Sequence, residues 1–107
     1  MTEFEIILVT APTEAEAQNI ARVLLEARLI ACANIIPGLN SIYWWEGKLE
    51  QNPEVLLLLK TPHHNFRAVE EKIKLLHSYS VPEIIAVPVM QGNTKYLDWL
   101  KEVTVKA

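Results

Sequence analysis

Phe4 to Thr10 (FEIILVT) is an apolar, β-branched run and predicts a strand. Ala11-Pro12 ends it. Thr13-x-x-Glu16 follows as a capping-box pattern, in which the hydroxyl accepts from the N3 amide while Glu16 reaches back. A helix is expected from there to about Leu29, with Ala17, Ile20, Ala21, Leu24 and Ala27 spaced along one face. Ile30 to Ile36 predicts a second strand, broken at Pro37-Gly38 and resumed from Ser41 to Trp45, with Glu46-Gly47-Lys48 as the turn. Val55 to Lys60 is continuously apolar and reads as a strand buried on both faces. Thr61-Pro62 then predicts a second helix, with threonine as N-cap and proline at its first position. Its stripe is Phe66, Val69, Ile73 and Leu76. Ile84 to Met90 predicts a fourth strand. Asn93 caps a short third helix carrying Tyr96, Trp99 or Leu100, and Val103.

The order βαββαβ plus a C-terminal helix is an α+β arrangement, the ferredoxin-like split βαβ. Strands one and three are central in it and strands two and four are edges. Proline cannot donate to a ladder and is confined to edges or bulges. Pro37 falls in strand two and Pro88 in strand four, and the expected central strands contain none. Both main helices cover one sheet face, yet Ile6 to Val9 and Val55 to Leu59 are apolar on both. Tyr43 and Trp45 point one way from their strand and Trp44 the other. A monomer would expose a large apolar patch, so a homo-oligomer assembled through the sheet is inferred. The alternative is that the third helix alone covers the bare face.

The 107 residues form one expected domain, 1–107. Ten basic and thirteen acidic residues give a net charge of −3, which argues against a generic grip on nucleic acid. RNA-recognition motifs share this topology, but they carry aromatic and basic residues on the open face, where this chain is aliphatic. A single cysteine excludes an intrachain disulfide framework and fits a reducing compartment. Met1 to Phe4 carries Glu3 and no basic stretch, so no signal peptide is expected. No apolar run approaches the ~20 residues that span a bilayer. A cytoplasmic location without membrane attachment is expected. The three glycines do not permit a P-loop.

Cys32, His63, His64 and His77 are the soft or borderline metal ligands, and no CxxC, HxxxH or HExxH is present. His64 and His77 lie thirteen residues apart, about 20 Å along a helix, too far to share an ion. A site within one chain would combine His77 with oxygen ligands such as Glu83, or draw a ligand from a neighbour. Otherwise His77 is a histidine favoured by a helix C-terminus. Copper would be the favoured ion at a poor nitrogen–oxygen site. Cys32 has small neighbours and reads as a buried structural thiol. Ser41, Ser78 and Ser80 lie in no nucleophile-elbow pattern, so no catalytic signature is found. Polar residues set among apolar ones say more: Glu46 and Lys48 after two tryptophans, Lys60 and Thr61 ending the most apolar strand, and Tyr79, Pro82 and Glu83 before the last strand. Aromatic walls with a few convergent charges describe a small-ligand cleft, within a chain or between neighbours. A lysine–glutamate network pinning subunits is the alternative.

Several segments carry a family resemblance: VTAP (Val9 to Pro12), ACANIIPG (Ala31 to Gly38), SIYWWEGK (Ser41 to Lys48), LKT (Leu59 to Thr61), HSYSVPE (His77 to Glu83) and YLDWL (Tyr96 to Leu100). From about Phe4 to Leu100 the chain resembles the CutA family of divalent-cation-tolerance proteins. The resemblance implies a homotrimer of ferredoxin-like subunits, similar to the PII signalling proteins, with clefts between neighbours. It implies a part in the response to metal ions, copper or another divalent cation being the candidate ion, and no assigned enzymatic activity. Copper ligands proposed in the family are a cysteine just before the Thr-Ala-Pro segment and a His-His pair before the tyrosine. Here those positions hold Val9 and Leu76-His77, so His77 alone matches. The cleft positions Tyr43, Trp45, Glu46, Lys60, Tyr79 and Glu83 all fall in matching motifs. Three roles for the cleft follow: metal response, PII-like signalling through a small metabolite, or a small enzyme with Glu83 as general base. A structural adaptor read through the trimer surface is a further alternative.

Overall fold

The computed structural model describes residues 3–107. The expectations that fall on Met1 and Thr2, for a signal peptide and for the start of a 1–107 domain, lie outside these residues. The elements are β1 (Phe4–Ala11), α1 (Glu14–Glu26), β2 (Cys32–Trp45), β3 (Lys48–Pro62), a 3₁₀ turn (His63–Asn65), α2 (Phe66–Leu76), β4 (Ile84–Pro88) and α3 (Thr94–Glu102). The sheet order is β2-β3-β1-β4, every neighbouring pair antiparallel. This is the expected ferredoxin-like α+β fold, with β1 and β3 central.

Pleat parity decides which residues make the core. Ile7, Val9 and Ala11 of β1 lie opposite Leu59, Leu57 and Val55 of β3. All six are buried in one cluster with Ala17, Ile20 and Leu24 of α1 and with Val69 and Ile73 of α2. The alternate residues face away from these helices: Ile6, Leu8, Leu56, Leu58 and Lys60 are only half-buried. Leu100 of α3 is buried, as is Phe4, yet both lie outside the main cluster. The Lys60 ammonium stands 5.9 Å from the centre of the Tyr96 ring. α3 therefore covers the Phe4–Lys60 end of the open face and leaves Ile36, Ile85 and Val87 exposed.

Four sequence expectations are corrected. β3 is more than twice the expected length and contains Pro53 and Pro62, so a central strand does hold prolines. β1 pairs only with Val55 to Pro62, so at Pro53 β3 has β2 as its sole neighbour and behaves as an edge. Second, β2 is continuous through Pro37-Gly38, which sit in an irregularity between Ile36 and Leu39, with Gly38 at φ +83°. Third, Thr61 lies within β3, one residue from its end, instead of capping α2: its hydroxyl donates to the Leu29 carbonyl at 2.8 Å. Fourth, β4 stops at Pro88, two residues short of Met90. The hairpin loop is the pair Glu46-Gly47, both at positive φ (49° and 80°), as a two-residue connection demands.

The C-terminal segment is tied beneath this layer by Asn65, which is fully buried. Its side-chain amide donates to Leu29 O at 3.0 Å and Val105 O at 2.7 Å, and its oxygen accepts from Ala107 N at 2.9 Å. Arg28 joins the same seam, donating through its guanidinium to Val103 O and accepting from Val105 N. Asn65→Ala strands Val105 O and the Ala107 amide, while Leu29 O keeps its bond from Thr61. The substitution should lower stability by about 1–3 kcal/mol. Thr61→Val should cost less, because Leu29 O keeps its bond from Asn65. Denaturant midpoints at one fixed protein concentration check this; equal shifts for the two variants would refute the assignment of Asn65 as the tie.

Candidate ligand-binding cleft

The cleft is built around a buried histidine. α2 ends at Leu76, and His77 leaves it in an extended conformation while its N–H still reaches Ile73 O at 2.8 Å. The His77 side chain is fully enclosed. Nε2 donates to Thr10 O at 2.7 Å, and Nδ1 accepts the Tyr79 N–H at 3.0 Å. That pattern fixes the tautomer with the proton on Nε2. Glu16 holds the next residue, its Oε2 accepting from both the amide and the hydroxyl of Ser78 at 2.9 Å. Thr13 accepts from the Glu16 amide as expected, but the Glu16 carboxylate leaves the capping box for the 77–83 loop. The loop is thereby fastened to β1 and α1.

Fastening the loop carries Tyr79 over the sheet. Its hydroxyl donates to Glu54 Oε2 at 2.7 Å, and Glu54 is only 7% exposed. Burial pushes the Tyr79 phenol well above the ordinary range, and the hydrogen bond to the Glu54 carboxylate and that group's charge push it further. Beside the pair opens a cleft of about 580 Å³. Ser41, Tyr43 and Trp45 of β2 line it, alternating along the strand so that they share one face with Glu54. Thr10, Ser80, Val81 and Glu83 close the other side.

Of the six expected cleft residues, Tyr43, Trp45, Tyr79 and Glu83 meet here. Glu46 sits at the hairpin tip and does not line the cleft. Lys60 lies six residues along β3 from Glu54, about 20 Å away at strand rise. Within one chain neither joins the other four. Glu54, Thr10, Ser41 and Ser80 are lining residues that the sequence reading missed. For Glu54 a signal exists: it is the charged residue at the junction of the polar and apolar halves of β3. Its pairing with Tyr79, 25 positions away, has none.

The donor atoms do not fit a resident metal. Both ring nitrogens of His77 are hydrogen-bonded, Nδ1 also standing 3.4 Å from Glu16 Oε2. Cys32 lies on the open face opposite Lys60, and His63 contacts Glu5 Oε2 at 3.0 Å. Among the described residues no three His, Cys, Asp or Glu side chains gather around a point.

The family model described as CutA1 divalent ion tolerance protein matches residues 5–103. This chain belongs to the CutA1 family. The divalent-cation tolerance protein CutA of Thermus thermophilus is 52% identical over 100 residues, covering 94% of this chain and 97% of that one. The chloroplastic CutA 1 protein of Oryza sativa is 43% identical over 99 residues, and the chain spans just 56% of its length. The crystal structure of CutA1 from Oryza sativa superposes with a TM-score of 0.96 at 40% identity, covering 99% of this chain and 97% of that one. The structure of the periplasmic divalent cation tolerance protein CutA from Archaeoglobus fulgidus gives 0.91 at 42% identity, with coverage of 94% and 97%. In this CutA1 chain no helix among the described residues is long and apolar enough to cross a membrane.

The Tyr79–Glu54 pair has a titration signature. The folded state holds the phenolic proton more tightly than the unfolded chain, where it leaves near pH ~10. The stability this contributes is whole below that pH and is lost as pH rises toward the higher folded value. Alkaline absorbance titration should show one late tyrosine step that vanishes in Tyr79→Phe. If Tyr79→Phe removes an early step instead, the pairing is not formed in solution.

Proposed function

We propose that this CutA1-family chain acts in the cellular response to divalent cations as a cytoplasmic, PII-like homotrimer, and that it works by binding a small ligand in the cleft beside Tyr79 rather than by catalysis. The observation that carries the reading is the pairing of buried Glu54 with half-buried Tyr79 at the wall of a roomy, aromatic-lined cleft. Pockets for small molecules occupy roughly 300–1,000 Å³ and combine apolar walls with a few placed polar groups. Assembly is supported by what one copy leaves uncovered: Ile42 is 64% exposed, Trp44 72% and Leu49 60% on the projecting hairpin, and Ile85 and Val87 lie bare on β4. In such an assembly Glu46 and Lys60 reach a cleft only from another copy. Direct copper binding through His77 has less support, because a ligating ring must first give up its bond to Thr10 or to Tyr79.

Native mass spectrometry with a Cu²⁺ titration, Cys32 kept reduced, tests this reading. The expected result is an assembly of three 12.2 kDa chains with no stoichiometric copper that depends on His77. A monomer would overturn the trimer. One copper per chain, lost in His77→Gln, would replace the ligand cleft with a metal site.

A further inference from the structure

The chemistry of the cleft narrows its ligand. We infer that the cleft selects an organic ammonium cation, held by Glu54 and Glu83 against the rings of Tyr43, Trp45 and Tyr79; this rests on the reading of the cleft as a ligand site.

The first ground is uncompensated charge. Two carboxylates line the cleft, and no lysine, arginine or histidine among the described residues does. The ion pairs among the described residues join Glu5 to His63, Glu70 to Lys74, Glu16 to His77 and Glu3 to Lys101, and none uses Glu54 or Glu83. Glu54 is nine-tenths buried, and its hydrogen-bond partner among the described residues is a neutral phenol at Oε2. An ionised carboxylate has about four acceptor positions. Withdrawing it from water is costly unless a cation answers it.

The second ground is the walls. Two tyrosines and a tryptophan, with Ile42 and Val81, make a lining that a hydrated inorganic ion leaves unused. An alkylammonium group uses both parts, its N–H donors on the carboxylates and its charge against aromatic faces. A hard divalent ion asks for about six to eight convergent oxygens. No third acidic or histidine side chain among the described residues joins Glu54 and Glu83 to begin such a shell. The volume of about 580 Å³ also asks for a ligand with a carbon skeleton. One rival cation remains, the lysine of a second copy, and Lys60 is the residue already expected at an intersubunit cleft.

Calorimetric titration of the assembled protein at constant ionic strength decides between these. The probes are phenethylammonium, its neutral isostere 2-phenylethanol, and Mg²⁺. Phenethylammonium should saturate at one per chain, and the alcohol should bind at least about tenfold more weakly, a difference of about 1.4 kcal/mol. Glu54→Gln keeps an oxygen for Tyr79 to bond, and Glu83→Gln alters an exposed side chain. Each should weaken the ammonium about tenfold and leave the alcohol unchanged, while Glu71→Gln on α2 should change neither. Equal affinity for ammonium and alcohol would overturn charge selection and leave a merely apolar cleft. Mg²⁺ that binds through Glu54 and excludes phenethylammonium would make the occupant inorganic. Binding that emerges only in Lys60→Ala would show that a neighbour's lysine already fills the place. Those three results overturn the organic cation and keep the cleft; silence of every probe in every variant overturns both.

Discussion

Side chains alternate across a strand with a period of two, so the pairing of β3 with β1 has one acceptable register. In that register Leu57 and Leu59 meet Val9 and Ile7 beneath the helices, and Lys60 meets Ile6 on the open face. A slip of one residue would drive Lys60 and Glu54 into the core and turn Val55, Leu57 and Leu59 outward. The helices, the hairpin and the cleft all inherit this choice. β2 copies it along its inner half, aligning Ala33 and Ile35 with Leu59 and Leu57. Past the irregularity at Pro37-Gly38, Ser41, Tyr43 and Trp45 come to share a face with Glu54. A feature that begins as core packing ends by deciding which side chains line a pocket.

The second constraint is where the chain goes after α2. An unanchored loop at that point would lie over the helix layer or in solvent. His77 prevents this by bonding Thr10 of the central strand with one nitrogen and the Tyr79 amide with the other. Glu16 adds two bonds to Ser78. The His77 bonds are buried or part-buried and the two to Ser78 are exposed, and buried polar groups are costly when a partner is removed. Together they hold the loop where Tyr79 forms a wall of the cleft and donates to Glu54.

Periodicity revealed the elements and the open face because those depend on local pattern. Ala17, Ile20 and Leu24 lie at helical spacing, and the apolar run in β3 reads as a strand by itself. What failed were residues whose local chemistry suits two jobs. Thr61 before Pro62 has the form of an N-cap, but a carbonyl at Leu29, 32 positions away, takes its hydroxyl. Glu16 has the form of a capping-box partner, and Ser78 takes its carboxylate. A short-range motif states what a residue can bond, and tertiary contacts decide what it does bond. The aromatic residues and Glu83 were legible because they share motifs, whereas the pairing of Glu54 with Tyr79 was not, because its partner comes from a distant loop. Within one chain Lys60 stands apart from the other cleft residues because β3 runs well beyond its apolar stretch, which sets its two ends far apart.

Glu54 also shows how stability and use part company. A leucine at this position would extend the apolar run and avoid withdrawing a carboxylate from water, a change that is often neutral or stabilising where buried charge is replaced by packing. The phenol of Tyr79 offsets part of that cost through a charge-assisted bond, yet it adds no positive charge. Nearby, His77 is occupied by backbone partners and Lys60 is turned toward Tyr96, so no cation among the described residues balances the site. On the reading of the cleft as a ligand site, the hydrogen bonds that His77 and Glu16 make to hold the loop beside this carboxylate leave it open to a positive group from outside the chain. The divalent ions in the family's name meet that demand in charge alone. The rings of Tyr43, Trp45 and Tyr79 add a demand for carbon that a bare metal ion does not meet.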